Sequence, residues 1–337
     1  MTVHPHTRFE LPDALNAGEP PEARGLSRDQ VKLMVAEGST VTHTRFDRIG
    51  EHLRPGDLLL VNTSGTLPAA VDSSSVTVHF STALDDGTWV VELRDGGAPK
   101  LDGTAGDRVE LPEGVLTLLA PYQPDNNRLW IARPPVPDVL GYLQRHGRPI
   151  TYSYVGKRWP LAAYQTVFAR EPGSAEMPSA ARPFSFELVS QLASQGVLIA
   201  PILLHCGVSS LESHEPPQPE RYDVPAHTAR LVNWVKANGG RVIAVGTTAV
   251  RAIESAAGPD GSVSPAHGWT DLVLSPCQPV RVVDGLVTGM HAPEASHLLL
   301  LESVVGDDTV QRAYDAALSE HYLWHEFGDS CLLLRHS

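Results

Sequence analysis

The sequence predicts a mixed α/β core domain interrupted by an inserted all-β, barrel-like domain. Three observations carry this reading. Helix and strand signals alternate from about residue 184 onwards, the pattern of a parallel sheet covered by helices. Between 71 and 135, five short strand-like runs are joined by turn-forming residues, the pattern of a small barrel or sandwich. The texture changes near Ala70 and again near Ile150. The expected organisation is a core of residues 1–70 and 151–337, with residues 71–150 inserted.

In chain order, Val31–Val35 and Thr40–Phe46 read as short strands, and Asp47–Leu53 as a helix with Phe46, Ile49 and Leu53 near one face. Pro55-Gly56-Asp57 is a turn before the buried strand Leu58–Val61. The insertion holds strand candidates Val76–Phe80, Thr88–Leu93, Asp107–Leu111, Val115–Leu119 and Arg128–Ala132. Their joins include Asp85-Asp86-Gly87, Asp95-Gly96-Gly97 and Pro124-Asp125-Asn126-Asn127. Ser185 can cap a helix running to Gln195, with Glu187 in its first turn and Gly196 as its stop. Val197–Leu204 follows as a strand, Pro225–Asn238 as a helix and Arg241–Val245 as a strand. A helix from about Ala249 to Ala257, strands Asp271–Leu274 and Val280–Val283, helix Thr309–Tyr322 and strand Cys331–Leu334 complete the reading.

Composition removes several function classes. The chain has 337 residues, 42% hydrophobic and 19% charged, enough for a sizeable core and unlike a disordered chain. No segment approaches the ~20 apolar residues of a membrane span, and Met1–His6 lacks the basic-then-apolar pattern of a secretory signal. Three distant cysteines, Cys206, Cys277 and Cys331, make neither a disulfide framework nor a metal spacing. A reduced, cytoplasmic protein without a metal is expected. The net charge is −13 with only four lysines, which argues against a large phosphate-neutralising footprint.

The sharpest chemical element is Arg241-Val-Ile-Ala-Val-Gly-Thr-Thr-Ala-Val-Arg-Ala-Ile-Glu254. Ligands of parallel α/β sheets gather at the carboxyl ends of strands. Gly246, Thr247 and Thr248 would open a helix whose free N–H groups suit a carboxylate or phosphate. Arg251 and Glu254 can share a helix face. Spacing alone leans to the plainer reading, a cap plus a surface ion pair. Arg170 and Glu171 stand together before a Pro-Gly turn, as a grip and a base or as a solvated pair. His291 follows a strand-like run and His205 ends another. A lone histidine is more often structural. Asp329, entering the last strand, either caps it or points a carboxylate into a site.

Together, Phe9–Pro12, Arg54–Ser64, Tyr164–Ser174, Val242–Ser255, Val283–Pro293 and Phe327–Ser330 resemble, in the same order, motifs of the S-adenosylmethionine:tRNA ribosyltransferase-isomerase family of queuosine biosynthesis. The resemblance implies an α/β core with a barrel-like insertion and S-adenosylmethionine as co-substrate. It implies transfer and rearrangement of the ribosyl part onto the 7-aminomethyl-7-deazaguanine of tRNA, giving an epoxy-cyclopentane and releasing adenine and methionine. On this basis Glu171, Arg170, His291 and Asp329 are candidate catalytic residues. Gly246, Thr247, Thr248, Arg251, Glu254, Asn62 and Ser64 are candidate S-adenosylmethionine contacts.

Four departures mark the chain as divergent. Pro183 and Gln218 stand where the family has histidines, Leu204–Leu211 lacks a family glycine and aromatic, and Gly289–Pro293 replaces a family Asn-Phe-His-Leu-Pro. Lost imidazoles matter where protons move. They keep open a small-molecule acceptor, with Arg182 as its grip, and a catalytically silent S-adenosylmethionine-binding relative. A nicotinamide dehydrogenase is disfavoured because no Gly-x-Gly-x-x-Gly follows a strand.

Overall fold

The computed structural model describes residues 4–123, 126–208 and 217–336. Pro124 and Asp125 of the expected turn, and Ser209–Leu211 of the divergent segment, lie outside the described residues.

Leu58–Asn62 and Val242–Val245 are buried along their whole length, as strands covered on both faces must be. They lie at the centre of a nine-stranded mixed sheet. Its order is Ala266–Thr270, Glu220–Val224, Leu198–Leu204, Leu58–Asn62, Val242–Val245, Gly285–Gly289, Ser330–Leu334, Lys32–Glu37 and Thr40–Arg45. The four strands from Leu198–Leu204 to Gly285–Gly289 run parallel.

The helices are α1 (Val139–His146), α2 (Phe186–Ser194), α3 (Ala226–Ala237), α4 (Thr247–Ser255), α5 (Ser296–Val305) and α6 (Asp307–Ser319). Side chains alternate across each strand, so Leu58, Leu60, Val242 and Ala244 meet α3 to α6 on one face. Leu59, Val61, Ile243 and Val245 meet α2 and the 3-10 turn Phe46–His52 on the other. The Ser185 hydroxyl accepts from Leu188 N at 3.1 Å and caps α2, as its sequence predicts.

The strands of the insertion form a separate antiparallel sheet, ordered Ala70–Asp72, Thr77–Ala83, Trp89–Asp95, Asn126–Arg133, Gly114–Gln123 and Arg108–Leu111. Register shifts after Phe80, Leu118 and Pro121 curl it, since each extra residue bends its strand. Phe80, Trp89, Trp130 and Tyr142 of α1 fill its core. No helix among the described residues is long and apolar enough to cross a membrane.

Two expected strands do not form. Residues 280–283 run as an irregular segment because the Glu254 carboxylate takes the backbone N–H groups of Arg281, Val282 and Val283. Residues 271–274 are also irregular, and Leu272 O accepts from Arg251 Nε. The strands lie just outside these runs, at Ala266–Thr270 and Gly285–Gly289. The expected Asp47–Leu53 helix is a 3-10 helix over Phe46–His52, and α4 begins at Thr247 rather than Ala249.

Candidate functional site

The parallel strands end together at Asn62, Val245 and Gly289. Gly246 turns the chain into α4 with φ +94° and ψ 153°, a conformation essentially reserved for glycine. Its position leaves the first N–H groups of α4, with Thr247 and Thr248, on the wall of a cleft of about 400 Å³. Asn62, fully buried behind that wall, donates to Leu204 O at 2.8 Å and to Thr248 Oγ1 at 3.2 Å. One strand end thus aligns the first turn of α4.

The cleft brings together five of the residues singled out in the sequence: Gly246, Thr247, Thr248, Arg251 and His291. Arg251 is not paired with Glu254. Its guanidinium meets Glu220 and reaches the carbonyls of Gln218, Thr270 and Leu272. Burial pushes the Glu220 carboxyl up, against the pull of Arg251.

His291 is held by its backbone on both sides. Its N–H donates to Tyr314 Oη at 3.1 Å, and its carbonyl accepts from Trp324 Nε1 at 2.9 Å. The ring stacks on His297 with 4.6 Å between centroids, and its Nε2 lies 2.9 Å from Thr288 Oγ1. Burial, helped by His297 and His325, holds its pKa well below the ordinary imidazole value. It is therefore a neutral, oriented imidazole at neutral pH.

The other candidates stand elsewhere. Glu254 is buried and caps the 281–283 segment. Asp329 accepts the N–H groups of Lys32 and Leu323, each at 2.8 Å. Of its two sequence readings, capping is the one its contacts satisfy, and burial raises its pKa. Ser64 is fully buried, 2.6 Å from Ser174 Oγ and 2.7 Å from His205 Nδ1. Burial, then Arg221, lowers the pKa of His205 to about 4. Arg170 and Glu171 are exposed on the strand end beside Ser64 and do not line the cleft. Arg182 is 3% exposed and committed to Glu22 and to Ala163 O, so it offers no grip to a small acceptor.

Sequence reasoning passed over one wall of the cleft. Tyr152 and Tyr154 belong to one tight turn, in which Val155 N–H donates to Tyr152 O at 3.0 Å. Tyr152 Oη donates to Glu176 and Tyr154 Oη to Glu326. The rings form a ladder: Tyr152 stacks on Tyr154 at 5.9 Å and 20°, and Tyr154 on His325 at 4.2 Å and 13°. Glu326 lies three residues before Asp329 and immediately ahead of the Phe327–Ser330 motif. Burial pushes its pKa up, and Glu176 adds to the shift.

A family model described as queuosine biosynthesis protein matches residues 5–333. The Symbiobacterium thermophilum protein named S-adenosylmethionine:tRNA ribosyltransferase-isomerase is 34% identical over 97% of this chain and 98% of its own length. The Thermotoga maritima protein of the same name is 33% identical, again over 97% and 98%. A crystal structure of S-adenosylmethionine tRNA ribosyltransferase from Thermotoga maritima matches with a TM-score of 0.55 at 29% identity, covering 97% of this chain and 99% of that one. The fold, the strand-end cleft and a family match over nearly the whole length agree: the chain belongs to the queuosine biosynthesis protein family.

Proposed function

We propose that this chain is an S-adenosylmethionine-dependent ribosyltransferase-isomerase. It moves and rearranges the ribosyl part of the co-substrate onto the 7-aminomethyl-7-deazaguanine of tRNA, forming an epoxy-cyclopentane and releasing adenine and methionine. The observation that carries the reading is the strand-end cleft opening on the Gly246-Thr247-Thr248 turn. The helix start there offers N–H donors and a positive dipole end to the methionyl carboxylate. Names of relatives that are 33–34% identical over nearly the whole chain support the chemistry.

The residues divide the work as follows. Thr247 and Thr248 orient the carboxylate end, with Asn62 fixing Thr248. Arg251, neutralised by Glu220, stiffens the far wall. The sulfonium acidifies the ribose C5′ protons, so a placed base starts the reaction. His291 and Glu326 both face the cleft and have the chemistry for proton transfer. Arg170 and Glu171 act only on a substrate reaching beyond the cleft.

Mass spectrometry of reactions with S-adenosylmethionine, with and without bulk tRNA, tests the proposal. Adenine release that depends on tRNA, with the nucleoside gaining the rearranged ribosyl mass, is expected. Adenine release indifferent to tRNA would point to a small acceptor, and none at all to a silent binder.

A further inference from the structure

The chain carries a net charge of −13, yet residues 139–170 hold five cations, Arg145, Arg148, Lys157, Arg158 and Arg170, and no Asp or Glu. The same stretch supplies Pro149, Ile150, Tyr152, Tyr154 and Tyr164 to the cleft lining. The basic segment and one wall of the cleft are therefore one piece of chain.

Carboxylates from elsewhere take up only part of this charge. Arg145 meets Glu113, which also meets His146. Asp72 serves two guanidinium groups at once. Arg148 takes both of its oxygens, at 3.0 and 2.6 Å, and Arg158 reaches one of them at 3.2 Å. These contacts, the Arg148 hydrogen bonds first, hold the Asp72 carboxyl well below the ordinary carboxylate range. It stays ionised, and the trio keeps one positive charge. Arg158 is its outer member, with a side chain 70% exposed. Arg170 has the exposed Glu171 beside it. Lys157 is exposed and has no carboxylate partner among the described residues. Its Nζ sits over the Trp159 ring, 4.1 Å from the centroid, a contact that holds the ammonium in place without neutralising it.

We propose that Lys157 and Arg158 form a docking surface for the phosphate backbone of the acceptor RNA, beside the cleft that takes its base. The inference rests on tRNA being the acceptor and names where its backbone lies. Lys157 stands three residues beyond Tyr154, within about 11 Å of it at Cα. A strand whose base enters past the tyrosine wall brings its phosphates to these two side chains. Phosphates are held by positive charge that is exposed and not already neutralised, and Lys157 and Arg158 supply it. Such contacts fix the register of the strand and leave the choice of base to the cleft. Two contacts make a small footprint, in keeping with a chain that has four lysines. The net negative charge elsewhere disfavours other orientations of a polyanion.

The test is binding of fluorescently labelled bulk tRNA to the full chain, read by anisotropy from about 50 to 200 mM salt. It compares the wild type with the Lys157→Gln, Arg158→Gln double variant. Arg230→Gln is the charge-matched control, an exposed arginine on α3, which lines no part of the cleft. The double variant should bind tRNA about tenfold more weakly, and its slope of log affinity against log salt should be shallower by about 1.4. Its KM for tRNA should rise with kcat unchanged. S-adenosylmethionine affinity should stay within about twofold of wild type, which also reports that the variant is folded. The control should match the wild type throughout. If the double variant keeps the wild-type affinity and slope, or the control loses as much, the docking surface is overturned while the proposed function stands. If the wild type neither binds tRNA nor needs it for adenine release, the proposed acceptor falls and the surface with it.

Discussion

Glu254 lies on the α4 segment that gave the strongest chemical signal in the sequence, yet its contacts assign it a structural duty. Its Oε1 accepts Val282 N at 2.9 Å and Val283 N at 3.0 Å, and its Oε2 accepts Arg281 N at 2.8 Å. Glu254→Ala leaves three backbone donors without an acceptor. At the low end of about 1 kcal/mol for each, that is about 3 kcal/mol of lost stability. In a chain of this size it corresponds to a melting temperature roughly 4 °C lower. Glu254→Gln keeps one oxygen for Val282 and Val283 but turns an NH₂ towards Arg281, so about 1 kcal/mol is expected. Urea unfolding followed by tryptophan fluorescence reads both. The order wild type, Gln, Ala should hold for stability, while S-adenosylmethionine affinity of the folded variants stays unchanged. If Glu254→Gln weakened S-adenosylmethionine binding with stability intact, the carboxylate charge would be serving a ligand and the reasoning would be wrong.

Three further outcomes are expected. Gly246→Ala puts a Cβ on a backbone at φ +94°, costing about 1–3 kcal/mol. Because the strain sits at the first turn of α4, S-adenosylmethionine affinity should fall with the melting temperature. His205 titrates at about 4 in the folded chain, against about 6.5 when unfolded. The unfolded state therefore takes up its proton first. The stability this group contributes is complete above pH 6.5 and drains away as pH falls towards 4. His205→Gln should flatten urea midpoints across that window, leaving the part of the slope that the other buried histidines, His291, His297 and His325, contribute. Glu171→Gln, on an exposed strand end outside the lining, should keep tRNA-dependent adenine release within about twofold of wild type. A loss of a hundredfold would bring Glu171 back as the base.

Much of the fold was legible because its strands are short and their burial is nearly complete. Leu58–Val61 and Arg241–Val245 read as buried strands without any knowledge of their neighbours. The curled sheet announced itself through its turn residues. What misled was local apolarity at Val280–Val283. A run of valines reads as a strand whether its N–H groups go to another strand or to a carboxylate 27 to 29 residues earlier. Propensity records the side chains and is silent about where the backbone hydrogens are satisfied. The helix α5 was hidden for the opposite reason. Seven of its ten residues are buried, so its pattern lacks the polar face that marks a helix at a surface.

The site was half legible for a similar reason. Gly246-Thr247-Thr248 is contiguous, and a glycine between a strand and a helix has a physical meaning in any fold. The tyrosine wall is made from three separated pieces, 152–154, 176 and 325–326, which meet only after the sheet has formed. Each piece alone looks like an ordinary loop. Their meaning lies in the pairing of each acid with a phenol and in the stacking of the rings. Asp329 shows the converse. A carboxylate beside a conspicuous glycine drew a catalytic reading, and two backbone N–H groups claimed it. Acids whose oxygens are filled by backbone donors hold the fold. An acid bonded to a hydroxyl at a cleft wall stays within reach of what enters the cleft, and by that distinction Glu326, not Asp329 or Glu254, is the carboxylate of these three that lines it.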